Sequence, residues 1–331
     1  MTETRIPSRE PDTVPHDDLV IPFEVAALDV RGRAVRLGPM VDDILARHDY
    51  PTVVSRLLGE AIVLTVLLGS SLKFDGRFIL QTQTDGPVRM LVVDWRSPGL
   101  VRAYAQFDHD AVAALANPSD ADLLGRGHLA MTIDQGADMT RYQGLVALGG
   151  GTLEEAAHEY FLRSEQIPTR VRLAVAEEFS AAAAGGARRR WRAGGLMLQF
   201  LPKSTERMRS PDLDPGDAPE GTVPHEVPED EAWVESQALV ATVEDLELLD
   251  PALSTERLLY RLFHEHGVRV FRTAAVEAKC SCSRERVAGI LGSFSAEERA
   301  AMVEDGRIGV TCEFCNTRYT FTADEVTGPT A

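Results

Sequence analysis

The chain has 331 residues and a formal charge of -17, with 51 acidic against 34 basic side chains. Apolar residues make up 44%, enough for a sizeable core and too many for a chain disordered throughout. So acidic a protein repels phosphate backbones, which excludes nucleic acid as an expected partner.

Residues 1–16 read as a disordered tail, rich in Pro, Asp and Glu, without the basic start or apolar run of a secretory signal. Helices are expected over 39–48 and 51–73, because Pro39 and Pro51 suit a helix start and Val54, Leu57, Leu58, Ala61 and Ile62 recur at helical spacing. The most apolar run, 61–72, would cover about 18 Å as a helix, too short for a bilayer, and reads as a buried core helix. No membrane is expected as a partner, and the expected location is the cytoplasm. Strand-like segments follow over 77–84, 88–95 and 100–107, separated by Asp85-Gly86-Pro87 and Ser97-Pro98-Gly99. Such short turns favour an antiparallel meander. Further strands are expected over 128–134 and 142–148, then a helix over 152–164 with Glu154 and Glu155 in its first turn. The last strands of this part, 170–179 and 194–201, flank a Gly/Arg-rich loop over 185–190. Strands and helices segregate along 17–202, so the predicted class is α+β.

Composition breaks at Pro202. Residues 210–256 hold 14 carboxylates and no Lys or Arg. Five prolines over 210–230 predict a mobile loop. Residues 231–264 regain helical spacing, with Ser254 as an N-cap. Dense like charge predicts a marginally stable segment that docks on both neighbouring domains. Neutralising Glu244, Asp245 and Glu247 should then stabilise its closed state. The expected organisation is an α+β domain over 17–202, an acidic helical linker over 203–267 and a small four-cysteine domain over 268–325. In the last, Ser283 and Ser295 are expected N-caps of helices over 284–291 and 296–305, Ser295 forming a capping box with Glu298. A hairpin of 308–311 and 318–322 should carry Cys312 and Cys315 at its turn.

The chain's four cysteines fall within 36 residues, 280–315. In a reducing compartment such a cluster reads as a metal site or redox device. An extended Cys280-Ser281-Cys282 puts both sulfurs on one side, and the turn in Cys312-Glu313-Phe314-Cys315 brings two more together. Four thiolates complete a tetrahedron around one zinc ion. The CxC pair argues for more than a structural ion. A disulfide across one residue is strained and therefore easily reduced again. Zinc contributes roughly 10–16 kcal/mol to a small domain, comparable to a domain's whole stability of about 5–15 kcal/mol. Its loss should unfold 268–325.

With these motifs the chain resembles the thirty-three-kilodalton heat-shock chaperonins, redox-regulated holdases. The resemblance runs through Arg47-His48-Asp49-Tyr50-Pro51, Leu57-Leu58-Gly59-Glu60-Ala61, Leu72-Lys73-Phe74-Asp75-Gly76-Arg77, Tyr142-Gln143-Gly144 and Tyr160-Phe161. It continues through Ser164-Glu165-Gln166-Ile167-Pro168-Thr169 and Ala193-Gly194-Gly195 with Gln199, Leu201 and Pro202. Its most specific strings are Cys280-Ser281-Cys282-Ser283-Arg284-Glu285-Arg286-Val287 and Cys312-Glu313-Phe314-Cys315-Asn316. The resemblance implies an inactive, zinc-bound reduced form. It further implies oxidation to Cys280–Cys282 and Cys312–Cys315 disulfides, zinc release, and unfolding of the linker and C-terminal domain. Unfolding client proteins would then be held without ATP by a chain that dimerises when active. The stretch 203–231 is longer than this pattern, and Ala278 stands where an aromatic is common.

Rival readings carry less. No Gly-Lys-Ser/Thr follows Gly149-Gly150-Gly151-Thr152, so these glycines mark a turn and no P-loop. A thiol oxidoreductase would place CxxC at a helix N-terminus. The alternative is a zinc-ribbon nucleic-acid binder with a purely structural ion, supported by Arg284, Arg286, Arg318 and the run Arg188-Arg189-Arg190 beside Trp191. His264 and His266 fit a helix C-terminus better than a metal. No catalytic set is evident, and the chain is not expected to be an enzyme.

Overall fold

The computed structural model describes residues 17–72, 75–136, 141–181, 187–202, 229–322 and 325–326. The expected tail over 1–16 and the proline-rich stretch through 228 lie outside the described residues, as do Lys73 and Phe74.

The chain opens with β1 (Leu19–Val25) and β2 (Val30–Leu37), an antiparallel pair. Sequence reading passed over both, since Pro22 interrupts the strand signal of β1. Two helices follow, α1 (Pro39–Ala46) and α2 (Thr52–Gly69). The expected meander is present as β3 (Arg77–Thr84), β4 (Val88–Arg96) and β5 (Leu100–Phe107). Two short helices, α3 (His109–Ala113) and α4 (Asp120–Leu124), precede β6 (Arg126–Asp134) and β7 (Tyr142–Gly149). Thr152 caps α5 (Leu153–Tyr160) in a capping box with Glu155, and the helix widens into a π-turn over Phe161–Glu165. Then come β8 (Thr169–Ala181) and β9 (Ala187–Phe200). The loop expected over 185–190 is corrected here: Ala187 to Arg190 belong to β9 and pair with Glu178 to Ala181.

One sheet runs β2-β9-β8 inward from β1, and the other runs β5-β4-β3-β6-β7. The helix α2 lies between them. Its residues Leu57, Leu58, Ala61, Ile62, Leu64 and Leu67 share one core with Val35, Met197, Leu80, Val93 and Val101 from the two sheets. At 18 residues with hydropathy 1.7, α2 is long and apolar enough to cross a membrane by composition, but 78% of it is buried inside the fold. It extends further toward its N-terminus than the apolar run 61–72, and it serves as the core helix that run predicted.

The outer face of the first sheet carries the helices α6 (Glu231–Ala241), α7 (Asp245–Leu249) and α8 (Thr255–Phe263). Trp233, Val240, Leu248, Leu259 and Phe263 pack there with Phe23, Val30, Leu196, Leu198 and Phe200. Strand alternation explains the two-sided burial. A Cβ on Gly194 would lie 2.4 Å from the Leu248 carbonyl oxygen, and one on Gly195 would lie 2.4 Å from Val63 Cγ1. Adjacent glycines thus let α7 and α2 press on opposite faces of β9. The buried Arg192 ties this layer down, its Nε donating to the Leu249 carbonyl at 2.8 Å and its guanidinium pairing with Asp17. Docking is therefore onto the first sheet. Val268, the first residue of the expected four-cysteine domain, also packs half-buried against this cluster.

Short strands then add to both sheets: β10 (Arg269–Val270) and β11 (Ala274–Ala275) pair with β1, and β12 (Glu277–Ala278) pairs in parallel with β5. The remaining elements form a small unit of α9 (Arg284–Gly292), α10 (Ala296–Ala301), β13 (Ile308–Thr311) and β14 (Arg318–Phe321). Its core is Val287, Leu291, Ile308, Phe321 and Val326, too few side chains to hold such a unit alone.

Candidate metal centre

The CxC segment follows β12 and stops at Ser283, which is extended and whose Oγ accepts the Arg286 amide to start α9. Arg286 also reaches back to the Ser281 carbonyl at 2.6 Å, which fixes the segment against the helix. The second pair sits where β13 turns into β14. There the Cys312 amide donates to the Thr317 carbonyl at 3.0 Å and the Asn316 amide to the Cys312 carbonyl at 2.8 Å. Asn316 closes the turn in the left-handed region, at φ 55°, a conformation Asn tolerates better than most residues.

These two local structures bring all four sulfurs within 4.8 Å of one another. Cys280 Sγ lies 3.7 Å from Cys312 Sγ, and Cys282 Sγ lies 3.3 Å from Cys315 Sγ. A zinc tetrahedron with Zn–S near 2.3 Å has sulfur–sulfur edges of roughly 3.8 Å, and both separations lie slightly inside that length. All four residues are half-buried. The cluster can hold a metal ion, and an all-thiol donor set of this size suits zinc. Two of the sulfur contacts run between the pairs, so each CxC sulfur faces one of the hairpin sulfurs.

Polar neighbours surround the thiols. Tyr319 Oη donates to Cys282 Sγ at 3.2 Å, and Thr317 Oγ1 lies 3.2 Å from Cys315 Sγ. Burial pushes the Cys282 thiol up, to about 12, and the adjacent sulfurs add to this against the pull of Tyr319. At Cys315 burial also raises the pKa, but the hydroxyl and backbone of Thr317 outweigh it and bring the thiol down to about 7. A cation held among the four would favour the thiolate throughout.

The site is tethered to the first domain by residues that sequence reading did not single out. Arg102 of β5 lines one cavity with Cys280, and its Nε donates to Asp94 at 2.7 Å. Asn316 Nδ2 donates to the Arg47 carbonyl at 3.0 Å. Arg47, His48 and Asn316 lie in strings noted above, whereas Arg102 and Tyr104 offer only alternation along a strand as a signal. Of the histidines considered, His264 follows α8 as its C-cap and His266 Nε2 lies 2.9 Å from Glu235 Oε1, both apart from the thiols.

The model for the family described as Hsp33 protein matches residues 18–322. The 33 kDa chaperonin of Caulobacter vibrioides is 47% identical over 314 residues, covering 93% of this chain and 96% of that protein. The 33 kDa chaperonin of Pseudomonas putida is 36% identical over 315 residues, with 95% and 93% covered. The crystal structure of a 33 kDa chaperonin from Thermotoga maritima has the same fold, with a TM-score of 0.70 at 23% identity over 94% of this chain and 97% of that one. Fold and sequence together define a protein of the chaperone class. The chain belongs to the Hsp33 family.

Proposed function

We propose that this protein is a redox-regulated, ATP-independent holdase of the cytoplasm, inactive while Cys280, Cys282, Cys312 and Cys315 hold one zinc ion. The observation that carries this reading is the convergence of four thiols on a unit whose core is only five apolar residues. When bound, zinc would supply the cross-link between the CxC segment and the hairpin that this small core lacks. The division at 203 and 268 then separates a client-binding domain, a metastable linker and the switch.

Oxidation by peroxide removes two protons and two electrons per pair of thiols, forming one S–S bond while the O–O bond of hydrogen peroxide breaks and takes them up as two waters. The pairing Cys280–Cys282 and Cys312–Cys315 is the one the family resemblance suggests, and every sulfur is within 4.8 Å of the others. This pairing has a physical consequence that the crossed pairing lacks. Disulfides within each pair leave the two segments untied, so the unit opens once no thiolate remains to bind metal. Crossed bonds between Cys280 and Cys312 and between Cys282 and Cys315 would staple it shut. Opening exposes apolar surface of the first domain and linker to unfolding polypeptides, and the active form pairs with a second copy.

The test is zinc content, free thiols, peptide-mapped disulfides and suppression of client aggregation, measured on one sample before and after peroxide. Reduced protein should carry one zinc and four thiols, and oxidised protein none of either, with aggregation suppressed and a dimeric mass by light scattering. Full zinc retained after all thiols are lost, or equal suppression by both forms, would sink the proposal.

A further inference from the structure

Phe314 stands between two thiol-bearing residues, yet it packs on a different part of the molecule. Its ring meets Tyr104 edge-on, with centroids 4.8 Å apart and planes at 77°. The Arg102 guanidinium lies 4.0 Å from the ring centre. Both partners stand on β5, on the face opposite the buried Val101, Ala103 and Ala105. The neighbours of Phe314 are seated too. Glu313 lines one cavity with Tyr104, His48 and Tyr50 of the first domain.

The seat is built from the first domain alone. Arg102 Nε donates to Asp94 Oδ2 at 2.7 Å, and Arg77 Nη2 donates to the same oxygen at 2.6 Å. Asp94 is only 5% exposed, so β3, β4 and β5 hold the guanidinium in place whether or not the hairpin is present. A cation pinned in this way beside a tyrosine edge is a general receptor for an aromatic ring. Nothing in it is particular to Phe314. Arg102 also lines one cavity with Cys280 and Ser281, so one residue borders both cysteine segments.

The geometry points to a self-occupied client site: Glu313-Phe314 plugs a seat at Arg102 and Tyr104 that accepts, once the hairpin leaves, an aromatic side chain next to an acidic one from an unfolded polypeptide. The inference rests on the redox reading only in that oxidation is what removes the plug. The occupant's chemistry follows from what now fills the seat. An aromatic ring lies under the guanidinium, and a carboxylate-bearing residue borders the same cavity as Tyr104.

The experiment uses the full chain and two short fluorescein-labelled peptides, one bearing Glu-Phe pairs and the other the same sequence with Phe replaced by Leu. In the reduced, zinc-replete state, Phe314→Ala should bind the Glu-Phe peptide while wild type does not, with zinc and thiol content unchanged. In the oxidised state, Arg102→Gln and Tyr104→Ala should each weaken the Glu-Phe peptide about fivefold and the Leu peptide little. These two variants leave every thiol in place, so that arm stands even where Phe314→Ala also loses zinc. Equal binding of both peptides by wild type and by the Arg102 and Tyr104 variants would overturn the inference, as would a reduced, zinc-replete Phe314→Ala that binds no peptide. Failure of oxidised wild type to suppress aggregation, with the reduced Phe314→Ala still binding Glu-Phe peptide, would remove the redox reading and leave the seat standing.

Discussion

Asn316 Nδ2 donates to the main-chain carbonyl of Arg47 at 3.0 Å, joining the cysteine hairpin to the residue that follows α1. The bond crosses 269 positions of sequence and is solvent-exposed. Asn316 has a second role, since it adopts φ 55° to close the CxxC turn. Two substitutions separate the roles. Asn316→Gly keeps the backbone freedom and removes the amide, and a net hydrogen bond of about 0.5–1.5 kcal/mol predicts roughly two- to tenfold faster amide exchange in β13 and β14. Asn316→Ala adds left-handed strain and should be faster still. Exchange unchanged in the glycine variant would show that the tie to Arg47 contributes nothing.

Cysteine substitution tests the centre directly. Cys280→Ser or Cys312→Ser leaves three thiols, so zinc affinity should fall sharply and residues 283–322 should loosen even in reductant. Limited proteolysis of the reduced variants reads this out. Cleavage in the small unit should precede cleavage in β3 to β9, and wild-type resistance in both variants would remove the metal from its structural role.

The linker's charges act differently from the sequence expectation. Asp245 pairs with Arg172 of β8 at 2.7 Å, and Glu247 pairs with Arg261 of α8 at 2.7 Å. Self-repulsion suggested that neutralising these carboxylates would stabilise the closed linker. With partners in place, Asp245→Asn and Glu247→Gln should instead loosen it, each by no more than about 1 kcal/mol because the pairs are partly exposed. Trp233→Ala removes a buried ring packed 5.9 Å from Phe200 and should cost about 3–5 kcal/mol. Hydrogen exchange over 231–263 should rank wild type slowest, then the charge variants, then Trp233→Ala. Slower exchange in the charge variants would restore the repulsion argument.

Glu60 of α2 provides a pH test away from the cysteines. Burial raises its pKa, and the neighbouring charge of Asp120 and the hydrogen bond to it add to this, bringing it to about 9. Asp120 is itself paired with Arg56 at 2.8 Å. A carboxyl that stays protonated in the folded chain but ionises near pH 4.5 when unfolded binds more protons in the native state. Its contribution to stability is complete below about pH 4.5 and declines as pH rises toward about 9. Glu60→Gln, which mimics the protonated form, should therefore gain melting temperature over wild type as pH rises from 6 to 9, by a few degrees per kcal/mol. A constant difference across that range would mean Glu60 is ionised in the fold.

Local chemistry was legible in the sequence wherever cause and effect lie a few residues apart. Ser254, Ser283 and Ser295 each cap a helix as their spacing to the next turn requires. The spacing within each cysteine pair set the sulfurs on one side of a strand or turn. The period change after α2 announced β3 to β5. Tertiary structure alone decided that β1 and β2 join the first sheet, because β2 meets β9, and β1 meets β10 and β11, only across long stretches of chain. It alone set Cys280 opposite Cys312 and Cys282 opposite Cys315, and it seated Phe314 on Arg102 and Tyr104. It also reversed the expected sign of the charges at Asp245 and Glu247, since a run of carboxylates reads as repulsion until the fold brings Arg172 and Arg261 beside them. Coulomb and packing energies depend on separation in space, and a single sequence states separation only along the chain.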